Sequence, residues 1–128
     1  MEITFIQLNE LQLDTSHLIE FSNCQLSILG KADTGTIKKL KEAVLYIHSN
    51  FNSIKKQMVY ESYYLSVNTN TKIAINFCTF VLGLKLHAVQ IRKDNDIAIV
   101  ICNDEYFFGH YIEGYFLSDW SYVGSYCC

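Results

Sequence analysis

The sequence contains no proline, although average usage would give roughly six in a chain of 128 residues. It also lacks a long apolar run. The stretch from Ile73 to Leu84 is interrupted by Asn76, and it is shorter than the about 20 residues that a membrane-spanning helix needs. Glu2 stands where a signal peptide would carry a basic residue, and no apolar segment follows it. We therefore expect a cytoplasmic chain that does not enter a membrane.

Recognisable catalytic and cofactor-binding motifs are missing as well. The segment 30–36 has the glycines and the lysine of a phosphate-binding loop, but Lys31 stands too early and the Gly-Lys-Ser/Thr ending is absent. The five cysteines are odd in number and show no Cys-x-x-Cys spacing, so they predict neither a disulfide framework nor a zinc site. Three of them lie in apolar stretches and are expected in the core: Cys24, Cys78 and Cys102. We expect no catalytic residue, no metal and no cofactor.

Positive charge is confined to the middle of the chain. Residues 1–30 carry a net charge of −4, residues 31–93 hold all ten basic residues and carry +7, and residues 94–128 carry −6. An isoelectric point near 5.7 and acidic flanks would repel a phosphate backbone, so we do not expect nucleic-acid binding. The lysines in the middle segment are interpreted as the solvated side of a helix.

The clearest predicted element is an amphipathic helix over residues 36–64. Its apolar residues recur at intervals of three and four, which places them on one stripe: Ile37, Leu40, Val44, Ile47, Phe51, Ile54 and Met58. Such a helix would be about 43 Å long, too long for a compact domain with a radius of gyration near 14 Å. It must project or bend, and the weak point is expected between Ser49 and Ser53, where polar side chains compete for backbone hydrogen bonds. Asp33, Thr34 or Thr36 is expected to cap its start.

Short apolar runs bounded by turn residues predict strands on both sides of this helix. Before it they lie near residues 3–5, 6–13, 18–21 and 26–29, and after it near 85–92, 97–102, 106–117 and 120–126. Gly109 and Gly114 predict bulges or close approaches within the third of these later strands. Residues 73–84 fit a helix or a strand, and their spacing favours the helix. The order predicts one α+β domain over 1–128, with antiparallel meander strands flanking one long amphipathic helix that packs on the sheet. A coiled-coil seam is the alternative role for the apolar stripe.

Acidic residues and large aromatic residues are interleaved near the C-terminus. The predicted partner-binding residues are Asp104, Glu105, Tyr106, Tyr111, Glu113, Tyr115, Asp119 and Trp120. Aromatic side chains anchor protein interfaces, and carboxylates attract a basic partner and speed its approach. The alternative is that these aromatics are there because they favour the strand conformation.

Two other kinds of function remain open. His110 and Glu113, with Asp104 and Glu105 nearby, could form a small ligand-binding, metal-binding or enzymatic site. On a regular strand, however, His110 and Glu113 would point to opposite faces. The aromatic strands could also make the chain a structural module that forms a homodimer.

Several segments resemble a known kind of domain. Leu45 to Asn50 followed by Ile54, then the segments 89–91, 97–100 and 108–114, are similar to small bacterial α+β domains of the polymorphic-toxin immunity-protein type. The resemblance covers roughly residues 40–116, and Phe108 stands where that family usually has an acidic residue before the Gly109–His110 pair. It implies a protein that neutralises a toxin by binding it, without catalysis. Many toxins that act on nucleic acid are basic, so an acidic binding surface would suit such a partner.

Overall fold

The computed structural model describes residues 2–69, 81–103 and 111–127, with the backbone alone for residues 61–69 and 127. Its elements are β1 (Ile3–Ile6), β2 (Gln25–Leu29), α1 (Thr34–Thr69), β3 (Lys85–Ile91), β4 (Ile97–Cys102), β5 (Tyr111–Phe116) and β6 (Tyr122–Cys127). Helix α1 packs against one face of a six-stranded, mostly antiparallel sheet. This confirms the predicted α+β class and the predicted packing of the helix on the sheet.

The strands lie in the sheet in chain order, from β1 to β6. Four of the neighbouring pairs are antiparallel, and β2 and β3 are parallel, with Leu26 opposite Val89. Helix α1 lies between β2 and β3 in the chain, as the connection between two parallel neighbours requires. The predicted antiparallel meander therefore describes β3 to β6, and the β2–β3 pair departs from it.

Two of the N-terminal strand predictions are wrong. Leu8–Leu11 and Ile19–Phe21 form short 3-10 helices instead. Leu11, Leu18 and Phe21 are each about 2% exposed and join the core. The apolar residues of this region therefore cover the core and do not form strands. The strands predicted at 3–5 and 26–29 are confirmed as β1 and β2.

Helix α1 begins and bends where the sequence predicts. Asp33 caps it: the backbone N–H of Thr36 donates to Asp33 Oδ1 at 2.8 Å, and the backbone N–H of Asp33 donates to Thr36 Oγ1 at 2.9 Å. Asn50 has a non-helical backbone, with φ −128° and ψ 20°. Its side-chain amide donates to the carbonyl of Tyr46 at 3.0 Å, so at the bend this side chain competes with the backbone for a carbonyl of the helix.

The core lies between α1 and the facing side of the sheet. It contains the predicted helical stripe from Leu40 to Met58, and residues of the central strands that are almost completely buried, such as Ile99, Ile101 and Ile112. Gly114 lets the helix approach closely, since a Cβ atom at this position would lie 2.8 Å from two carbon atoms of Met58. The close approach predicted at Gly114 is therefore confirmed.

Some sequence predictions lie outside the described residues. They concern residues 73–80 of the segment 73–84, and the residues Gly109 and His110. In the described end of that segment, Val81 and Leu82 are helical and Val81 and Leu84 are buried. Among the described helices, none is both long enough and apolar enough to cross a membrane. The cytoplasmic location stays a prediction.

Candidate functional site

The two faces of the sheet differ in what covers them. Side chains alternate between the faces along each strand, and in β5 the buried Ile112 and Phe116 point towards α1. Within residues 2–69, 81–103 and 111–127, no helix or second sheet packs on the other side. We call this second side the open face; its main side chains are Phe5, Ser27, His87, Gln90, Ala98, Tyr111, Glu113, Tyr115 and Tyr126.

Tyr115 and Tyr126 form a connected pair on the open face. Their ring centroids lie 5.7 Å apart and their hydroxyl oxygens 2.7 Å apart. The guanidinium of Arg92 lies over the Tyr115 ring, 5.4 Å from its centroid. Burial raises the pKa of Tyr115, and hydrogen bonds with Tyr126 and Glu113 raise it further. The Tyr115 hydroxyl therefore has two polar neighbours on the open face, Tyr126 and Glu113.

A second aromatic contact lies further along the open face. Tyr111 stacks on His87 with ring centroids 4.5 Å apart, across the strand that lies between them. Tyr111 and Tyr126 are 36% and 52% exposed, so solvent reaches both. Between these aromatic residues, β4 presents smaller side chains on the open face: Ala98 pairs with Tyr115, and Val100 pairs with Glu113. Phe5, which is 59% exposed, lies on β1 at the opposite edge of the sheet from Tyr126.

A cleft of about 650 Å³ opens beside the tyrosine pair. Tyr115 and Arg92 form one side, and Leu29, Leu117 and Val123 contribute apolar walls. A volume of this size is enough for one or two side chains of a bound protein.

The structure brings together only part of the predicted binding set. Tyr111, Glu113 and Tyr115 lie on the open face, because they alternate along β5. Asp104, Glu105 and Tyr106 lie outside the described residues. The strand residues of the prediction therefore form one surface with Tyr126, which the prediction omitted.

Asp119 and Trp120 lie away from that surface, in the turn between β5 and β6. Trp120 stacks on Tyr46 of α1 with centroids 4.0 Å apart, and Lys39 of α1 donates to the carbonyl of Ser118 at 2.6 Å. Asp119 accepts the backbone N–H of Ser121 at 2.9 Å, and hydrogen bonds from Ser121 lower the pKa of its carboxyl. These contacts hold the turn against the helix.

Sequence reasoning missed Tyr126, His87 and Arg92. Tyr126 falls in a predicted strand, but its face depends on the β5–β6 register, which shifts between Tyr115 and Phe116. Such an irregularity changes which residues share a face and leaves no mark in the apolar pattern. His87 lies at a register shift in the β3–β4 pair, between Leu86 and Ala88.

A second polar cluster lies near the bend of α1. The imidazole Nδ1 of His48 donates to the carboxylate of Glu20, and the ring of His17 meets the His48 ring edge-on, 5.1 Å between centroids. Lys55, about two turns further along α1 than His48, is only 3% exposed, and its ammonium donates to the carbonyl of Leu84 at 3.1 Å. Burial lowers the pKa of Lys55, and the charge of Glu20 partly opposes this shift. The sequence gives no signal for this cluster, since its members are far apart in the chain.

In the described part of the chain, no group of three or more His, Cys, Asp or Glu residues is arranged to hold a metal ion. No family model, curated protein or solved structure matches the chain.

Proposed function

We propose that this chain is a non-catalytic binding protein whose protein partner docks on the open face beside Tyr115 and Tyr126. The observation that carries the proposal is a sheet face that displays Tyr111, Tyr115 and Tyr126 without a covering layer in the described residues. Tyrosines offer a large apolar ring together with a polar hydroxyl, and they are frequent anchors of protein interfaces. The hydroxyl network and the Arg92 contact hold Tyr115 in place, which lowers the entropy cost of binding.

The partner in this proposal is a toxin that the chain neutralises by steric and electrostatic block. The similarity of residues 40–116 to immunity-protein domains supports this part. Glu113 stands among the tyrosines and would attract a basic surface. The proposed contact surface also includes Asp104, Glu105 and Tyr106, which precede β5 in the chain.

The test joins capture to neutralisation. The tagged chain captures proteins from its native host, and each captured protein is expressed alone to measure growth inhibition. Co-expression of the wild-type chain should restore growth, whereas Glu113→Lys and Tyr126→Ala should not. The matched controls are Glu42→Lys and Tyr60→Ala on α1, because Glu42 and Tyr60 are also exposed. We expect both controls to restore growth as the wild type does.

The outcomes separate the two parts of the proposal. Rescue by all four variants would reject the open face as the contact surface. Capture that depends on Tyr126, with no toxicity of the captured protein, would reject the toxin and keep the binding surface.

One observation favours a second candidate, a homodimer. Strand β6 is at the edge of the sheet that the described residues form, and its sequence, Tyr-Val-Gly-Ser-Tyr-Cys, has neither a charge nor a proline that would discourage pairing with another strand. Val123 in this strand is 63% exposed. Sedimentation velocity over a range of concentrations tests the candidate: a dimer that Val123→Lys converts to a monomer would support it, and a wild-type monomer at all concentrations would reject it.

A further inference from the structure

Lys55 is the only charged side chain buried in the described core. A buried ammonium is costly unless hydrogen bonds and an opposite charge compensate for the lost water. Its contacts are the carbonyl of Leu84 at 3.1 Å and the ring of Phe51, whose centroid lies 4.3 Å away. The nearby acid, Glu20, is already paired with His48, and that is the only ion pair within the described residues. Among the described residues, the Lys55 ammonium therefore has polar contacts and the more distant charge of Glu20, but no carboxylate bonded to it.

Lys55 also lines a cavity of about 460 Å³. Apolar walls come from Phe51, Leu84 and Leu86, and a polar rim comes from Glu20, Ser22, Asn23 and Lys85. Two ammonium groups therefore line the space against one carboxylate, and that carboxylate is already paired with His48. This size and this combination of apolar walls with a few polar groups are typical of sites for small molecules. We call this space the Lys55 cavity.

We propose that the Lys55 cavity binds a small organic acid, with its carboxylate on the Lys55 ammonium and its hydrocarbon part against Phe51, Leu84 and Leu86. Glu20 acts on Lys55 from a distance, whereas the bound carboxylate would accept a hydrogen bond from the ammonium directly, and a hydrogen bond between two charged groups is stronger than one between neutral groups. An amine of the same size would face two ammonium groups, Lys55 and Lys85, against the single carboxylate of Glu20, which is paired with His48. Inorganic phosphate would leave the apolar walls unfilled.

This site is separate from the proposed protein-binding surface. Leu86 faces the helix side of the sheet, whereas the tyrosines stand on the open face. The two proposals can therefore fail independently.

The experiment compares probes that share one hydrocarbon chain. Hexanoate, 1-hexanol and hexylammonium are titrated into the ¹⁵N-labelled chain at constant pH and ionic strength, with inorganic phosphate as a fourth probe, and amide chemical shifts are followed. We expect saturable shifts with hexanoate at residues 84–86 and around Lys55, and affinities at least roughly tenfold weaker for the other three probes.

Two variants then test the role of the ammonium. Lys55→Met keeps the length of the side chain and removes its charge, and we expect it to weaken hexanoate binding by roughly tenfold or more. Lys56→Met is the matched control, because Lys56 is the exposed neighbour on the same helix, and it should bind hexanoate as the wild type does.

Several results would overturn the proposal. These are hexanoate shifts that do not saturate, shifts that map away from the cavity, equal binding of hexanoate and 1-hexanol, or equal binding of phosphate and hexanoate. The probe comparison uses the wild-type chain, so it decides the matter even if Lys55→Met does not fold.

Discussion

Gly114→Ala tests the closest contact between the helix and the sheet. The new Cβ would lie 2.8 Å from both Cε and Cγ of Met58 and 3.0 Å from its Sδ. Carbon atoms in good contact are about 3.5–4.0 Å apart, so the Met58 side chain or the helix has to move. Met58 is 2% exposed, and its surroundings leave little room for that movement.

The expected magnitude has two parts of opposite sign. Overpacking of a filled core costs about 1–3 kcal/mol. Replacing glycine by alanine at a site without backbone strain gains about 0.4–1 kcal/mol, because the unfolded chain has less freedom. We therefore expect Gly114→Ala to lower the free energy of unfolding by about 1–2 kcal/mol, or the melting temperature by roughly 4 °C for each kcal/mol.

Urea unfolding monitored by circular dichroism measures this change, with the slope and midpoint fitted separately. The matched control is Gly124→Ala in the neighbouring strand, where a Cβ would meet nothing within 4 Å. That variant should be as stable as the wild type or slightly more stable. Met58→Ala alone should cost about 2–5 kcal/mol, and in the Gly114→Ala background it should cost about 1–2 kcal/mol less, because the overlap is gone. If Gly114→Ala is as stable as Gly124→Ala, the argument about close approach is refuted.

Three shorter predictions concern the cap, the buried lysine and a half-buried cysteine. Asp33→Ala should lower the free energy of unfolding by about 1 kcal/mol, measured by urea unfolding, because the Thr36 N–H loses its acceptor; an unchanged midpoint would contradict the cap. The pKa of Lys55 is lower in the folded chain than its usual 10.5. Between that lowered pKa and 10.5 the unfolded chain therefore holds more protons than the folded chain, and the free energy of unfolding should rise with pH. Over this pH range the free energy of unfolding of Lys55→Met should rise less than that of Lys56→Met, and equal rises in the two variants would argue against the shift. Burial raises the pKa of the half-buried Cys24 thiol to about 12, so mass spectrometry should show Cys24 modified by iodoacetamide at pH 8 more slowly in the folded chain than in urea; equal rates in the two states would contradict the raised pKa.

The local features of the fold could be predicted from the sequence because each depends on residues close together in the chain. The cap at Asp33, the bend near Asn50 and the helical stripe from Leu40 to Met58 all follow from spacings of three or four residues. The strands β3 and β4 are likewise marked by β-branched residues and turn signals. The 3-10 helices at Leu8–Leu11 and Ile19–Phe21 could not be distinguished from strands, since a short apolar run fits both.

The candidate sites depend on contacts between distant residues, and there the sequence is a weaker guide. Tyr111, Glu113 and Tyr115 could be placed on one face because they alternate within a single strand. Tyr126 joins them only through a register with an irregularity, and Trp120 leaves them because it stacks on Tyr46, which is 74 positions earlier in the chain. The Lys55 cavity combines residues from three separate parts of the chain, and apolar periodicity gives no information about such a combination.

An uncovered sheet face is not by itself a sign of a partner, because antiparallel sheets often have one face in water. What is unusual is the exposure of tyrosines where threonine would form the strand equally well. The double variant Tyr111→Thr, Tyr126→Thr separates the two explanations. If these rings serve a partner, the variant should lose at most about 2 kcal/mol in urea unfolding, since it removes two ring contacts across strands and such pairs contribute about 0.2–1 kcal/mol each, and it should fail to restore growth in the neutralisation test. A loss above about 3 kcal/mol would show that the fold itself requires the tyrosines, and full rescue by a stable double variant would move the contact surface elsewhere.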